Sequence, residues 1–300
     1  MSVIEVKGLT KNYDKAKVLD NLSFNIEENS ITGLIGRNGA GKTTILKILA
    51  GLTKSTSGSV AVFGEKPFNS IKVSANTFFA DDNLVFSPDL NLKEILQEIR
   101  KFYPNWDNKL ADGLFSYFSL NPKQKHAKLS KGQKSTFNMI VALASRASLT
   151  IFDEPTTGMD AAVRKDFYRA LLKDYIAYPR TIIVSSHLLS EIESILENIL
   201  LIKSGTIILQ KPIEELKEMA VGIRGDMNLV NLFIKGKEIL HEEKGNGNYV
   251  FLVVKNMLTE AELNKAKSQH LEISNINSDD LCVYLTAKDI GGIDDVFSRE

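Results

Sequence analysis

Ile31-Thr32-Gly33-Leu34-Ile35-Gly36-Arg37-Asn38-Gly39-Ala40-Gly41-Lys42-Thr43-Thr44 runs from a short apolar strand through a glycine-rich turn into a helix. Its centre, Gly36 to Thr43, matches G-x-x-x-x-G-K-S/T in the strand–turn–helix setting that this pattern requires. Glycines here let successive backbone N–H groups face inward and cradle phosphate oxygens. The helix that begins near Gly41 adds the positive end of its dipole. The spacing predicts a helix over Lys42–Ala50, with Gly51 where a C-cap glycine belongs. Lys42 is expected to reach the β- and γ-phosphates of a nucleotide, and the Thr43 hydroxyl to ligate Mg²⁺.

Two further constellations belong with this turn. Thr150-Ile151-Phe152-Asp153-Glu154 ends a buried strand in two carboxylates. Asp153 is placed to hold Mg²⁺ through water, and Glu154 to orient and deprotonate a water attacking the γ-phosphate. Leu129-Ser130-Lys131-Gly132-Gln133 precedes an apolar-periodic helix that extends through Ala147. Ser130 reads as an N-cap, and with Gly132 it leaves further amides free for an anion. Strands at Ile31–Ile35, Ser148–Phe152 and Thr181–Ser185 alternate with helices, the pattern of an α/β domain with a largely parallel sheet.

Elsewhere the character changes. From about residue 82 to 128, Leu92–Ile99 and Leu110–Phe118 carry helical spacing on either side of Tyr103-Pro104-Asn105, which predicts an inserted helical subdomain. From about residue 219, a strand over Asn248–Val254 follows the turn signal Gly245-Asn246-Gly247, and a helix over Leu258–Gln269 has Thr259 as its N-cap. This tail reads as a small α+β domain without a catalytic constellation.

Composition narrows the functional class. The 300 residues are 43% hydrophobic and 25% charged, with 37 Lys+Arg against 37 Asp+Glu. That balance argues against a dedicated nucleic-acid binder and against charge-driven association with an acidic membrane. Cys282, the single cysteine, makes neither an intrachain disulfide nor a structural zinc site. No apolar run approaches the roughly 20 residues that span a bilayer, and the start, Met1-Ser2-Val3-Ile4-Glu5, lacks a signal-peptide plan. A cytoplasmic chain is expected, one that touches a membrane only through a partner.

In this order the motifs resemble those of the ATP-binding cassette (ABC) ATPases, over about residues 3 to 218. The resemblance implies an ABC-type P-loop NTPase fold with a helical subdomain at about 82–146, followed by the small α+β domain at 219–300. It implies that Tyr13 stacks on the adenine of ATP. Gly36, Arg37, Asn38, Gly39, Ala40, Gly41, Lys42, Thr43 and Thr44 would form the phosphate loop. Thr43 and Asp153 would serve Mg²⁺, with Glu154 and His187 as catalytic residues beside Lys42 and Thr157-Gly158-Met159-Asp160 as the D-loop. Ser130, Gly132 and Gln133 would complete the nucleotide site of an opposite subunit, two cassettes closing head to tail around two ATP molecules. Two positions depart from the family. No glutamine occurs between Gly51 and Gln97, so Asp81 or Asp82 stands where the family glutamine is expected, Asp81 being a candidate for Mg²⁺ or its water. The second signature position is Lys131 rather than glycine. His126, His241 and His270 have no partners at metal-ligand spacing and read as surface or packing residues.

One phosphate loop, one signature and no spanning segment suit an ATPase subunit that pairs with a separate transmembrane permease and a second ATPase subunit, identical or different, at the cytoplasmic face of the membrane. Phe102-Tyr103-Pro104-Asn105-Trp106-Asp107, the signature and the tail Ser278-Asp279-Asp280-Leu281-Cys282-Val283-Tyr284-Leu285-Thr286 resemble bacterial exporters of antimicrobial or amphipathic peptides and lipophilic antibiotics, the phenol-soluble modulin exporters among them. Phe86, Phe102, Tyr103 and Trp106 are expected to line the groove that receives the permease's cytoplasmic helix. The alternative is a soluble ABC-type ATPase that regulates a non-transport complex. Such proteins typically carry two cassettes or a long coiled-coil insertion, and neither is present here.

Overall fold

The computed structural model describes residues 2–256 and 258–287. They divide into two compact units, one through Gln210 and one from Lys211, where the sequence suggested a division after 218. Residues 288–300 of the expected tail domain lie outside the described residues.

In chain order the first unit contains β1 (Ser2–Tyr13), β2 (Ala16–Glu27), β3 (Ile31–Ile35), α1 (Lys42–Leu49), β4 (Ser57–Val62), α2 (Ile71–Asn76), β5 (Thr77–Ala80), α3 (Leu92–Ile99), α4 (Asn108–Tyr117), α5 (Lys131–Ser145), β6 (Leu149–Asp153), α6 (Ala161–Ala177), β7 (Thr181–Ser186), β8 (Asn198–Lys203) and most of β9 (Thr206–Pro212). A six-stranded sheet has the order β5-β6-β7-β3-β8-β9, and its first five strands run parallel. β3, β6 and β7 are buried along their whole length, which is why they read as continuous apolar runs rather than alternating ones. A second, antiparallel sheet has the order β2-β1-β4. The main core joins Ile4, Val6, Leu22 and Phe24 of that sheet to Ile45 and Leu49 of α1 and to Ile151, Ile183 and Leu200 of the parallel sheet.

α1 ends as expected of Gly51. The Gly51 N–H donates to the Ile48 carbonyl at 3.0 Å and the Leu52 N–H to the Lys47 carbonyl at 2.8 Å, with Gly51 at φ +75°. This is the paired bonding of a Schellman cap. The helical stretch contains α3, α4 and α5. α3 opens on an Asn91–Glu94 capping box, and α4 starts at Asn108 rather than Leu110 because the Asp107 carboxylate accepts the Leu110 N–H. Phe115 of α4 meets Phe137 of α5 edge to face, 6.4 Å between centroids.

The second unit contains α7 (Ile213–Lys217), β10 (Ala220–Asp226), α8 (Met227–Phe233), β11 (Ile239–Lys244), β12 (Tyr249–Lys255), α9 (Glu260–Ser268), β13 (Glu272–Asn275) and α10 (Ser278–Thr286). Its sheet is antiparallel, in the order β11-β12-β10-β13, around a core of Ile223, Val230, Val250, Leu252, Val254 and Ala266. Thr259 caps α9 as expected, in a capping box with Glu262. His241 stacks on Tyr284 at 4.1 Å, a packing role. Among the described residues no helix is long and apolar enough to cross a membrane.

Candidate functional site

Sheet register gathers the site. Ile35 at the end of β3 stands opposite Ser186 of β7, and Asp153 at the end of β6 stands opposite Ser185. The turns after β3, β6 and β7 therefore leave one edge side by side, the carboxyl end where ligands of open α/β sheets collect. Gly36 is required at the first turn, since a Cβ there would come within 2.6 Å of the Ile202 carbonyl oxygen. Gly41 caps α1 at φ +105° and contributes no side chain, so the first amides of the helix have no side-chain cap. Arg37, Asn38, Gly39 and Thr43 are exposed around this turn, Thr44 is half-buried and Ala40 is buried. Lys42 is buried; its Nζ donates to the Gly36 carbonyl at 2.6 Å and lies 3.1 Å from Glu154 Oε1.

The two carboxylates occupy different surroundings. Asp153 is buried and its Oδ1 accepts the Ser185 hydroxyl at 2.6 Å. The same Ser185 oxygen accepts the Glu154 N–H at 2.9 Å. Glu154 is at φ +48°, a left-handed conformation that side chains other than glycine seldom adopt. Its Oε2 lies 2.9 Å from His187 Nδ1. One carboxylate thus sits between an ammonium and an exposed imidazole. Sequence reasoning missed Ser185, although a hydroxyl closing an otherwise apolar central strand was the available signal.

Ser130 caps α5 as expected, and the pairing is reciprocal: its Oγ accepts the Gln133 N–H at 3.2 Å, and Gln133 Oε1 accepts the Ser130 N–H at 3.0 Å. The Gln133 side chain is therefore engaged in a capping box, which the S-x-x-Q pattern encodes. Gly132 lies against the Thr157–Asp160 turn so closely that a Cβ would meet the Gly158 carbonyl oxygen at 2.4 Å. Ser135 Oγ donates to the Thr157 carbonyl at 2.8 Å, and Asp160 caps α6. Tyr13 ends β1 with its ring 45% exposed and Lys11 Nζ 4.7 Å from the centroid.

Asp81 follows β5 with its carboxylate largely covered, 3.9 Å from Lys47 Nζ. Desolvation pushes its pKa up, against the opposing pull of Lys47 and the hydrogen bond from Asn83. His126 is buried, 3.1 Å from Asn138 Oδ1, and is packed by Phe86 and Phe137. Among the described residues no three His, Cys, Asp or Glu side chains form a metal cage. The oxygen donors at hand, Asp153 and Thr43, fit a hard cation that takes one or two protein ligands and completes its shell with phosphate and water. On the flank of the helical stretch, a groove of about 770 Å³ is lined by Ile71, Phe78, Leu84, Phe86, Phe102 and Tyr103 among others. Trp106, expected there, is not among the lining residues. Burial raises the Tyr103 hydroxyl to about 12, and it bonds the Thr77 carbonyl at 3.3 Å.

The ABC transporter family profile matches residues 19–157, and an AAA-domain profile matches 122–193. The bacitracin transport ATP-binding protein BcrA of Bacillus licheniformis is 32% identical over 228 residues, 72% of each chain. The lantibiotic transport ATP-binding protein SrtF of Streptococcus pyogenes is 31% identical over 255 residues, 81% of this chain and 100% of the relative. The ABC transporter ATP-binding protein YtrB of Bacillus subtilis is 29% identical over 254 residues, 84% of this chain and 87% of its own. Among solved structures, an ATP-binding subunit of an ABC transporter superposes with a TM-score of 0.64 at 23% identity, covering 72% of this chain and 92% of that one. A dimeric ATP-binding cassette in a post-hydrolysis state with ADP and Pi gives a TM-score of 0.60 at 23% identity, covering 70% and 98%. With the phosphate loop, the paired acids and the parallel sheet in place, this chain belongs to the ATP-hydrolysing, ATP-binding subunits of ABC transporters.

Proposed function

We propose that this chain drives a bacterial exporter by hydrolysing Mg·ATP between two closed cassettes, and that it reaches the cytoplasmic face of the membrane through a permease. The observation that carries the reading is the placement of Glu154 between Lys42 and His187. In the proposed reaction Gly36 to Thr44 wrap the phosphates and Tyr13 stacks on adenine. Lys42 offsets charge on the β- and γ-phosphates. Glu154 accepts the proton of the attacking water as its oxygen bonds to the γ-phosphorus and the bond to the ADP oxygen breaks. His187 holds the second Glu154 oxygen and so fixes the direction in which the first one faces. Asp153, Thr43 and, through water, Asp81 are the residues that would hold Mg²⁺, which supplies charge neutralisation to the phosphates. Ser130 and Gly132 would face the nucleotide of the second cassette, identical or different.

The groove beside Phe102 is the proposed seat of a permease helix, being apolar and away from the phosphate turn. The names of BcrA and SrtF, a bacitracin and a lantibiotic transport protein, support a peptide or amphipathic antibiotic as cargo, exported by way of the permease. The test is sedimentation of Glu154→Gln with and without Mg·ATP. Steady hydrolysis should fall by about 10²–10⁴, the usual contribution of a positioned base, while ATP drives a monomer–dimer shift. Wild-type turnover in this variant would overturn the assignment of Glu154.

A further inference from the structure

The turn after β5 lacks the family glutamine, and it is held instead from α5. Asn138, buried in that helix, donates from Nδ2 to the Asp81 carbonyl at 3.2 Å and presents Oδ1 to His126 Nε2 at 3.1 Å. With the amide nitrogen committed to a carbonyl, Oδ1 is the acceptor, so Nε2 of His126 carries the proton. Burial holds this imidazole below the ordinary histidine value, which keeps it neutral near pH 7 with a single donor on that side. The opposite end of the pair is apolar: Phe86 meets the His126 ring edge-on at 4.8 Å and also lines the groove. At the nucleotide end, Asp81, Asn138, Ser135 and Glu154 line one small cavity of about 10 Å³, room for about one water. Groove ring, imidazole, amide and turn are thus in contact one after another, and the turn shares the lining of a small cavity with Glu154.

We propose that His126 and Asn138 are positioning residues that link the groove, through Phe86, to the Asp81 turn beside Glu154, in place of the glutamine this chain lacks. The proposal rests on the reading of Lys42 and Glu154 as the nucleotide site and of the groove as the permease seat. Because contiguity alone does not establish coupling, the test reads both ends at once. The full chain is labelled with fluorophenylalanine, the Phe86 resonance is assigned from the Phe86→Leu spectrum, and Mg·AMP-PNP is titrated in. Asn138→Asp keeps the acceptor for His126 and removes the donor to Asp81. His126→Phe fills the aromatic cage without a donor, and His126→Gln restores one. In the wild type and in His126→Gln, the Phe86 resonance should move on saturation. In Asn138→Asp and His126→Phe it should lose more than half of that movement, with Mg·AMP-PNP affinity held within about threefold. Full movement in Asn138→Asp overturns the link. If that variant does not fold, equal movement in His126→Phe and His126→Gln overturns it. A wild-type chain that binds the nucleotide with an unmoved Phe86 overturns the link alone, whereas one that binds no nucleotide overturns the site reading with it.

Discussion

A single hydroxyl organises the paired acids. Ser185 Oγ donates to Asp153 and accepts from the Glu154 amide, so it fixes the direction of a buried carboxylate and the backbone of its neighbour together. Ser185→Ala should therefore destabilise the fold by about 1–3 kcal/mol, the penalty for leaving buried partners unbonded, and lower turnover with little change in nucleotide affinity. Denaturant unfolding and steady-state hydrolysis check this, and an unaltered unfolding midpoint would refute it. Local motifs singled out Lys42, Asp153 and Glu154, and the family resemblance alone added His187; the structure brings Lys42 and His187 to the two oxygens of Glu154. Ser185 was legible in neither way, because its partner lies 32 positions away and is brought opposite it only by the parallel register of β6 and β7. The same applies to Asn138, which bonds across 57 positions to the Asp81 carbonyl.

At the level of elements, α5 is anchored at both its cap and its flank. The Ser130–Gln133 box sets where it begins, and the absence of a side chain at Gly132 lets it lie on the Gly158 carbonyl. A methyl at 132 would displace backbone, not a flexible side chain. Gly132→Ala placed on the Glu154→Gln background should thus bind Mg·ATP at its own phosphate loop yet fail to form the ATP-dependent dimer. Sedimentation decides it, and an intact dimer would refute the role given to this contact. The start of α5 was readable from S-x-x-Q, and the strand at β12 from its β-branched run. The antiparallel β2-β1-β4 sheet was not: β2 alternates over Leu22–Glu27, but it pairs with β1 through several register shifts, and alternation within one strand does not say which strand it joins.

Across the whole molecule, the two units have separate cores, and charge enters their stability differently. In the second unit the Lys237 ammonium, then the Thr259 donors, pull Glu262 from 4.5 down to about 2. A carboxyl depressed on folding adds stability that is complete above its unfolded value and is lost as pH falls through the folded one. The window is thus from about pH 4.5 down to about 2. Lys237→Met should raise the midpoint of the Glu262 carboxyl toward 4.5 in a carbon-detected NMR titration, and an unmoved midpoint would refute the pairing. The sequence puts a change of character at about residue 219. The compact units divide after Gln210, within β9.

The left-handed backbone at Glu154 has a consequence for any effort to harden this protein. Holding a carboxylate-bearing residue at φ +48° costs about 1–2 kcal/mol that glycine would not incur and asparagine would incur less. Selection for heat resistance alone would therefore favour replacing the side chain proposed as the general base. A library screened only for folding would be enriched in well-behaved, inactive proteins at this position, and thermostability and turnover should trade against each other there more sharply than anywhere on the neighbouring strands.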